Sequence, residues 1–311
     1  MVGMRHDILG TDEAGYGPNL GPLVVCCVVW KMTTGNAPGV QPVDDPLAEL
    51  ERRLGPIVTD TPSQWGKNGK LLLIGDSKKL YPSGKLQILA DAVLESIYLT
   101  GKKPEHLSKF LSQMDNDNHR SAAGRIKESL NPLGISLCDI KADMIFPREF
   151  NQKLEQMGNK STLLTETTLS LVKNTIQSLP DCGNVTVLCD KHGGRNRYAD
   201  MLYQFFSCDG WIETLTEGTA QSVYRLNSQG RKIEFRFQAK ADRHIPAALA
   251  SMTAKLLREM AMLEFNQFWQ QHLPGLQPTA GYPVDALRFF GQIEETSQKL
   301  GIPKSDIWRE K

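Results

Sequence analysis

Asp12 and Glu13 stand side by side at the end of the apolar run Ile8-Leu9-Gly10, and Gly15, Gly17, Pro18, Gly21 and Pro22 follow before a second apolar run to Trp30. Adjacent carboxylates at a strand end concentrate negative charge. That charge is costly unless it is solvated, hydrogen-bonded or bound to a cation. Carboxylate oxygens are hard donors and suit Mg²⁺ or Mn²⁺. Glycine lets the backbone take positive φ and approach a ligand closely. Two further aspartates share this setting: Asp190 closes the run Val185–Cys189, and Asp242 precedes a long helical pattern. Taken singly, each suits a plainer role. An Asp-Glu pair suits a polar hairpin turn, Asp190 a turn, and Asp242 an N-cap or first-turn residue facing the helix dipole. Four carboxylates gathered on one rim would repel each other unless divalent cations held them. Two such ions ~4 Å apart serve in-line phosphoryl displacement.

Other chemistries find less support. Three glycines after a strand invite a dinucleotide fingerprint, but that motif opens a helix. Here Pro22 leads into Leu-Val-Val-Cys-Cys-Val-Val-Trp, which is β-forming. The chain carries no Walker signature and no Gly-x-Ser-x-Gly, and its six histidines do not cluster with a candidate nucleophile. Its six cysteines include no Cys-x-x-Cys pair. That pattern argues for a reducing compartment and against a zinc site. Cys26 and Cys27 would face opposite sides of a strand.

The elements that must position these residues follow from periodicity. Strands are expected at 5–12, 23–32, Leu71–Gly75, Ile135–Ile145, Asn184–Asp190 and 211–215, with a hairpin of Val223–Leu226 and Lys232–Phe237. Helices are expected at Pro46–Leu54, from Pro82-Ser83 to about Leu99, at Pro147–Met157, from a Ser161 cap to Leu179, and up to about Phe206. Two more run from Pro246 to about Gln271 and from Pro283 to about Leu300. Residues 33–69, with Pro38 and Pro42, read as an excursion. Residues 100–135, with Lys102-Lys103 and the polar run Met114–Arg120, are weakly patterned, and Ile302–Lys311 is a basic tail bearing Trp308. Alternating strand and helix after an initial hairpin favours the α/β class. The 311 residues, 40% hydrophobic and 23% charged, suit a soluble globular chain. The net charge of +1 names no partner, since a neutral protein can carry a basic groove. No apolar run reaches the ~18 residues of a membrane span and no signal peptide is evident, so a cytoplasmic location is expected.

Several of these segments, taken in order, resemble one family. Asp12-Glu13-Ala14-Gly15-x-Gly17-Pro18-x-x-Gly21-Pro22 resembles the opening motif of the type 2 ribonucleases H, the ribonuclease HII/HIII group. Asp76-Ser77-Lys78-Lys79-Leu80 resembles that family's second block, and Asp190 falls at its strand-terminal aspartate. Lys240-Ala241-Asp242, followed by Ile245-Pro246-Ala247-Ala248-x-Ala250-Ser251-x-x-Ala254-Lys255, resembles its third block. Gly281-Tyr282-Pro283 resembles its glycine–tyrosine segment.

The resemblance implies an α/β ribonuclease H-like fold, with a central mixed β-sheet flanked by helices and a helical C-terminal part. It implies one catalytic domain over 1–311, with insertions near 33–69, 100–145 and 209–238 and a C-terminal extension over about 272–311. It implies a monomeric endonuclease that cleaves the RNA strand of RNA–DNA hybrids, or ribonucleotides embedded in duplex DNA, leaving a 3′-hydroxyl and a 5′-phosphate. Asp12, Glu13, Asp190 and Asp242 would be the catalytic ligands of Mg²⁺ or Mn²⁺. Gly15, Tyr16, Gly17, Ser77, Lys78, Lys79, Lys255 and Tyr282 would contact substrate. Tyr16 departs from the family, which places arginine or lysine between the two glycines of a turn that reads the ribonucleotide 2′-hydroxyl. A tyrosine supplies no cation to a phosphate but can stack on a sugar or base. The loop Lys191–Arg197 is more basic than its family counterpart and suits added phosphate contacts. A nuclease of the same fold with another nucleic-acid substrate is the first alternative. A non-catalytic nucleic-acid binder is the second, although acid beside a phosphate backbone gains a pure binder nothing.

Overall fold

The computed structural model describes residues 4–34, 43–65, 70–81, 86–102, 117–180, 182–228 and 230–310. Strand β1 (Met4–Ala14) turns back through Gly15–Pro22 into β2 (Leu23–Thr34), and the two pair antiparallel from Met4↔Thr34 to Ala14↔Val24. The β2 residues Leu23–Trp30 are all buried, the expected reading of a near-continuous apolar run in a central strand. Helix α1 (Pro46–Leu54) is capped by Asp45, and β3 (Val58–Thr59) and the short helix α2 (Pro62–Trp65) follow. Strand β4 (Leu72–Leu73) pairs with β3 in a separate two-stranded sheet, so the five-residue strand expected at Leu71–Gly75 is only two residues long. Helices α3 (Ser77–Leu80), α4 (Leu86–Thr100) and α5 (Asp117–Leu130) lead to β5 (Ile135–Ile145).

Helix α6 (Pro147–Met157) and helix α7 (Lys160–Gln177) come next. The cap of α7 is Asn159, whose side chain accepts from Thr162 N at 2.8 Å. Ser161, expected as the cap, lies inside the first turn and donates to the His192 carbonyl instead. Strand β6 (Asn184–Asp190), α8 (Ala199–Phe206), β7 (Trp211–Thr216), β8 (Gln221–Ser228) and β9 (Arg231–Gln238) complete the sheet. A 3-10 turn, Ala241–Arg243, opens into the long helix α9 (Ile245–His272). Helix α10 (Pro283–Lys299) and the short α11 (Lys304–Ile307) end the chain. The stretch around Pro38 and Pro42, the Pro82-Ser83 helix entry, Lys103, the start of the Met114–Arg120 run and Lys311 lie outside the described residues.

The main sheet has seven strands in the order β5-β2-β1-β6-β9-β8-β7. Pairing is parallel only for β1·β6 and β6·β9, so the sheet is mixed and flanked by helices, as expected. One face packs α1, α4 and α9 against Ile8, Val24, Cys26, Val28 and Trp30. The other packs α7 and α8 against Leu9, Cys27 and Val29. Cys26 and Cys27 thus face opposite sides, and all six cysteines are free. Gly10 is where α9 presses closest: a Cβ there would stand 2.2 Å from the Pro246 carbonyl carbon. Among the described residues no helix is long and apolar enough to cross a membrane.

Candidate active site

The parallel pairing of β1 with β6 decides the site. Thr11 lies opposite Cys189, so both chains leave the sheet at the same end, one carrying Asp12-Glu13 and the other Asp190. The 3-10 turn after β9 brings Asp242 to the same rim. Asp190 is held there by the Ala241 N–H, which donates to its Oδ1 at 3.3 Å. Lys240, just before the turn, takes φ 60°, the one left-handed non-glycine among the described residues. That conformation is uncommon for a side-chain-bearing residue and redirects the chain sharply.

One cavity of about 370 Å³ is lined by all four carboxylates together with Ala14, Gly15, Ser77, Lys78, Ser251, Lys255, Arg258 and Tyr282. Asp12 lies on the face of β1 covered by α9, in step with Gly10, and Ser251 hydrogen-bonds to its carboxylate. Glu13 lies on the opposite face. Burial pushes Asp12 up to about 7, with Asp190 and Asp242 adding repulsion that the Ser251 and backbone hydrogen bonds oppose. Burial likewise pushes Glu13 up to about 8, followed by repulsion from Asp12, Asp190 and Asp242. Asp190 is also raised, chiefly by burial. This is the electrostatic signature of acids crowded together with too little water.

The donor set is all carboxylate oxygen, which fits Mg²⁺ or Mn²⁺ chemically. Among the described residues, however, no three His, Cys, Asp or Glu side chains already stand in a metal-holding arrangement. The carboxylates share a cavity without converging on one point, and a cation there requires them to close on it.

The expected substrate-contacting residues divide. Ser77, Lys78, Lys255, Tyr282 and Gly15 line the cavity. Asp76 caps α3 by accepting from the Lys78 N–H at 2.9 Å, and Ser77 Oγ meets Ser251 Oγ at 3.2 Å, which ties α3 to α9. Lys255 Nζ lies 2.6 Å from Glu259 and 4.8 Å from the centre of the Tyr81 ring, so it enters the cavity already paired. Tyr282, 55% exposed, precedes α10 with Arg258 over its ring at 5.9 Å. Lys79 is exposed and outside the cavity lining. Gly17 is also exposed and outside it. Tyr16 does not line the cavity either. Its ring packs against the cluster of Leu23, Val25, Ile145 and Phe150, and its hydroxyl lies near Gly193. In the Lys191–Arg197 loop, Lys191 is used internally, reaching Asn196 Oδ1 at 2.8 Å and the carbonyl of Gly218. Arg195 donates to Thr162 Oγ1 at 3.0 Å.

Three residues at the site were not singled out from sequence. Ser251 and Arg258 flank Lys255 at four and three residues along α9, a spacing that puts all three on one helix face and marks them in retrospect. Arg309, buried beneath the Gly15–Pro18 turn, left no signal in its local pattern.

Comparison with known proteins finds similar chains among solved structures alone. No family model matches the chain, and no curated protein matches it. Among solved structures, the chain is similar to ribonuclease H2 from Pyrococcus horikoshii OT3, at 17% identity over 97% of this chain and 92% of that one, with a TM-score of 0.44. It is similar to RNase HII from Archaeoglobus fulgidus in complex with PCNA, at 14% identity over 98% and 94%, TM-score 0.42. It is also similar to RNase H3 from Aquifex aeolicus, at 14% identity over 97% and 71%, TM-score 0.37.

Proposed function

We propose that this chain is a type 2 ribonuclease H-like endonuclease, hydrolysing phosphodiesters in RNA–DNA hybrids or at ribonucleotides embedded in duplex DNA. The observation that carries the reading is the convergence of Asp12, Glu13, Asp190 and Asp242, from three separate segments, on one cavity that also holds Ser77, Lys78, Lys255 and Tyr282. Their order along the chain is that of the family motifs they resemble. A Mg²⁺ or Mn²⁺ bound there would lower the pKa of a water and neutralise charge on the scissile phosphate. Asp12 and Glu13 from β1, Asp190 from β6 and Asp242 would be its ligands. The Ser251 hydrogen bond favours the charged form of Asp12 against the opposing effect of burial. Lys78 and Lys255 offer cations to the flanking phosphates, and the half-exposed ring of Tyr282 offers a stacking surface to a sugar or base. The protein acts as a monomer on nucleic acid.

The deciding experiment is cleavage of end-labelled duplexes with Mg²⁺ and, separately, Mn²⁺: all-DNA, RNA–DNA hybrid, double-stranded RNA, and DNA with one ribonucleotide. Cleavage confined to the hybrid or to the ribonucleotide-bearing strand is expected. Cleavage of all-DNA would replace this reading with that of a nuclease of the same fold on another substrate, which the inward packing of Tyr16 favours. Binding without any cleavage would refute both.

A further inference from the structure

Between Ala14 and Leu23 the backbone has left the β1·β2 ladder, so its polar groups need partners elsewhere. Two segments from the C-terminal part provide them. The Gly281 carbonyl accepts from the N–H groups of Asn19 at 2.8 Å and Leu20 at 3.2 Å. From the other side, Arg309 donates its N–H to the Asn19 carbonyl at 2.7 Å, and the Asn19 side chain donates to the Arg309 carbonyl at 3.0 Å. The Arg309 guanidinium then donates through Nη2 to the carbonyls of Gly15, at 2.6 Å, and of Pro18.

The guanidinium is fully buried, and among the described residues no carboxylate pairs with it. Among the described residues its Nε and Nη1 have no hydrogen-bond partner. The Phe150 ring, 4.7 Å away, adds a favourable face. A buried unpaired cation is expensive. Burial, and then the charge of Arg258, pushes its pKa down to about 9. A leucine or methionine would fill the space at less expense but could not hold two carbonyls at once. The tail is itself anchored: Asp306 pairs with Arg148, Asn151 accepts from the Glu310 N–H at 2.9 Å, and Ile307 is buried.

We infer that Arg309 is a positioning residue: it fixes the Gly15–Pro18 turn, and with it the Gly15 wall of the cavity, so that the C-terminal tail completes the site rather than merely following it. Its effect on catalysis rests on the nuclease reading above; its effect on the turn does not.

The test uses the full chain carrying Arg309→Gln, with Arg309→Lys as a milder companion that keeps the charge but offers a single point donor. Amide hydrogen exchange is read at Asn19 and Leu20, with the β6 amides as internal control. Exchange at Asn19 and Leu20 should quicken about tenfold or more in Arg309→Gln, with β6 unchanged, and less in Arg309→Lys. On whichever duplex the wild type cleaves, kcat/KM should fall about tenfold or more, and added guanidinium ion should restore part of it. Unchanged exchange at Asn19 and Leu20 in a folded variant would overturn the inference, as would unchanged kcat/KM on a duplex the wild type cleaves. If Arg309→Gln does not fold, Arg309→Lys decides by the same readings. A wild type that cleaves nothing would remove the nuclease reading and leave the exchange measurement to judge the turn.

Discussion

Replacing Gly10 with alanine tests how the site is built. Gly10 sits in β1 two residues before Asp12, on the face that α9 covers. A Cβ at this position would stand 2.2 Å from the Pro246 carbonyl carbon and 2.4 Å from the Ala247 nitrogen. Ordinary carbon contacts are about 3.5–4.0 Å. The clash is with backbone on both sides, so no rotamer relieves it, and the start of α9 must move by about 1 Å or more. Overpacking of this kind costs about 1–3 kcal/mol. Gly→Ala returns only about 0.4–1 kcal/mol by restricting the unfolded chain. We expect a net loss of about 1–1.5 kcal/mol in urea unfolding followed by circular dichroism. The same displacement carries Ser251 away from Asp12. A misplacement near 1 Å at a catalytic group can cost about a hundredfold in rate, so cleavage should fall by that order with the fold retained. A Gly10→Ala protein that unfolds within about 0.5 kcal/mol of the wild type and cleaves normally would refute the seating of α9 on β1.

Three further outcomes follow from the electrostatics. Asp12 and Glu13 have raised pKa values in the folded state, so their contribution to stability is present at low pH and lost as pH rises through about 7 and 8. In EDTA, the stability of the metal-free protein should therefore fall between about pH 4 and 8 and level off above that, and Asp12→Asn should flatten the fall between about pH 4 and 7 by a few kcal/mol while abolishing cleavage; an unchanged pH slope would argue against crowding of the carboxylates. Ser251→Ala removes a hydrogen bond that lowers the Asp12 pKa, so the acid limb of the pH–rate profile should move to higher pH, with rates converging again above it. An unshifted limb would mean that another group controls it. His192 is buried, shares Nδ1 with Thr165 Oγ1 at 3.0 Å, and is pushed by burial down to about 3. Its stabilising contribution is present above about pH 6.5 and lost as pH falls toward 3. The wild type should lose on the order of 2 kcal/mol more than His192→Gln between pH 7 and 5; equal losses would refute the burial argument.

Much of this architecture was legible in one dimension because local patterns carried it. The run Leu23–Trp30 could be nothing but a central strand, and Asn184–Asp190 and Ile135–Ile145 have the bounds that alternation and flanking turns predict. The four carboxylates were found because each closes a strand or opens a helix, and such ends collect on one rim when the strands run parallel. Periodicity alone does not distinguish which residues of a motif line the cavity. Lys79 sits beside Lys78 in sequence, and both are exposed, yet only Lys78 lines the cavity. Tyr16 lies between two glycines of the turn after β1, and its ring is taken up by the cluster around Phe150.

The acids and the glycines that let the turn close on them were readable in one dimension, because each depends on neighbours within a few residues. That Gly10 must lack a side chain, that Ser251 reaches Asp12, and that Arg309 reaches back to Gly15 and Pro18 from the far end of the chain emerges from packing alone. Those contacts join segments hundreds of residues apart. No local propensity encodes them, since they exist only when packing of α9 against the sheet, and of α10 against α9 and Leu20, brings the partners within range.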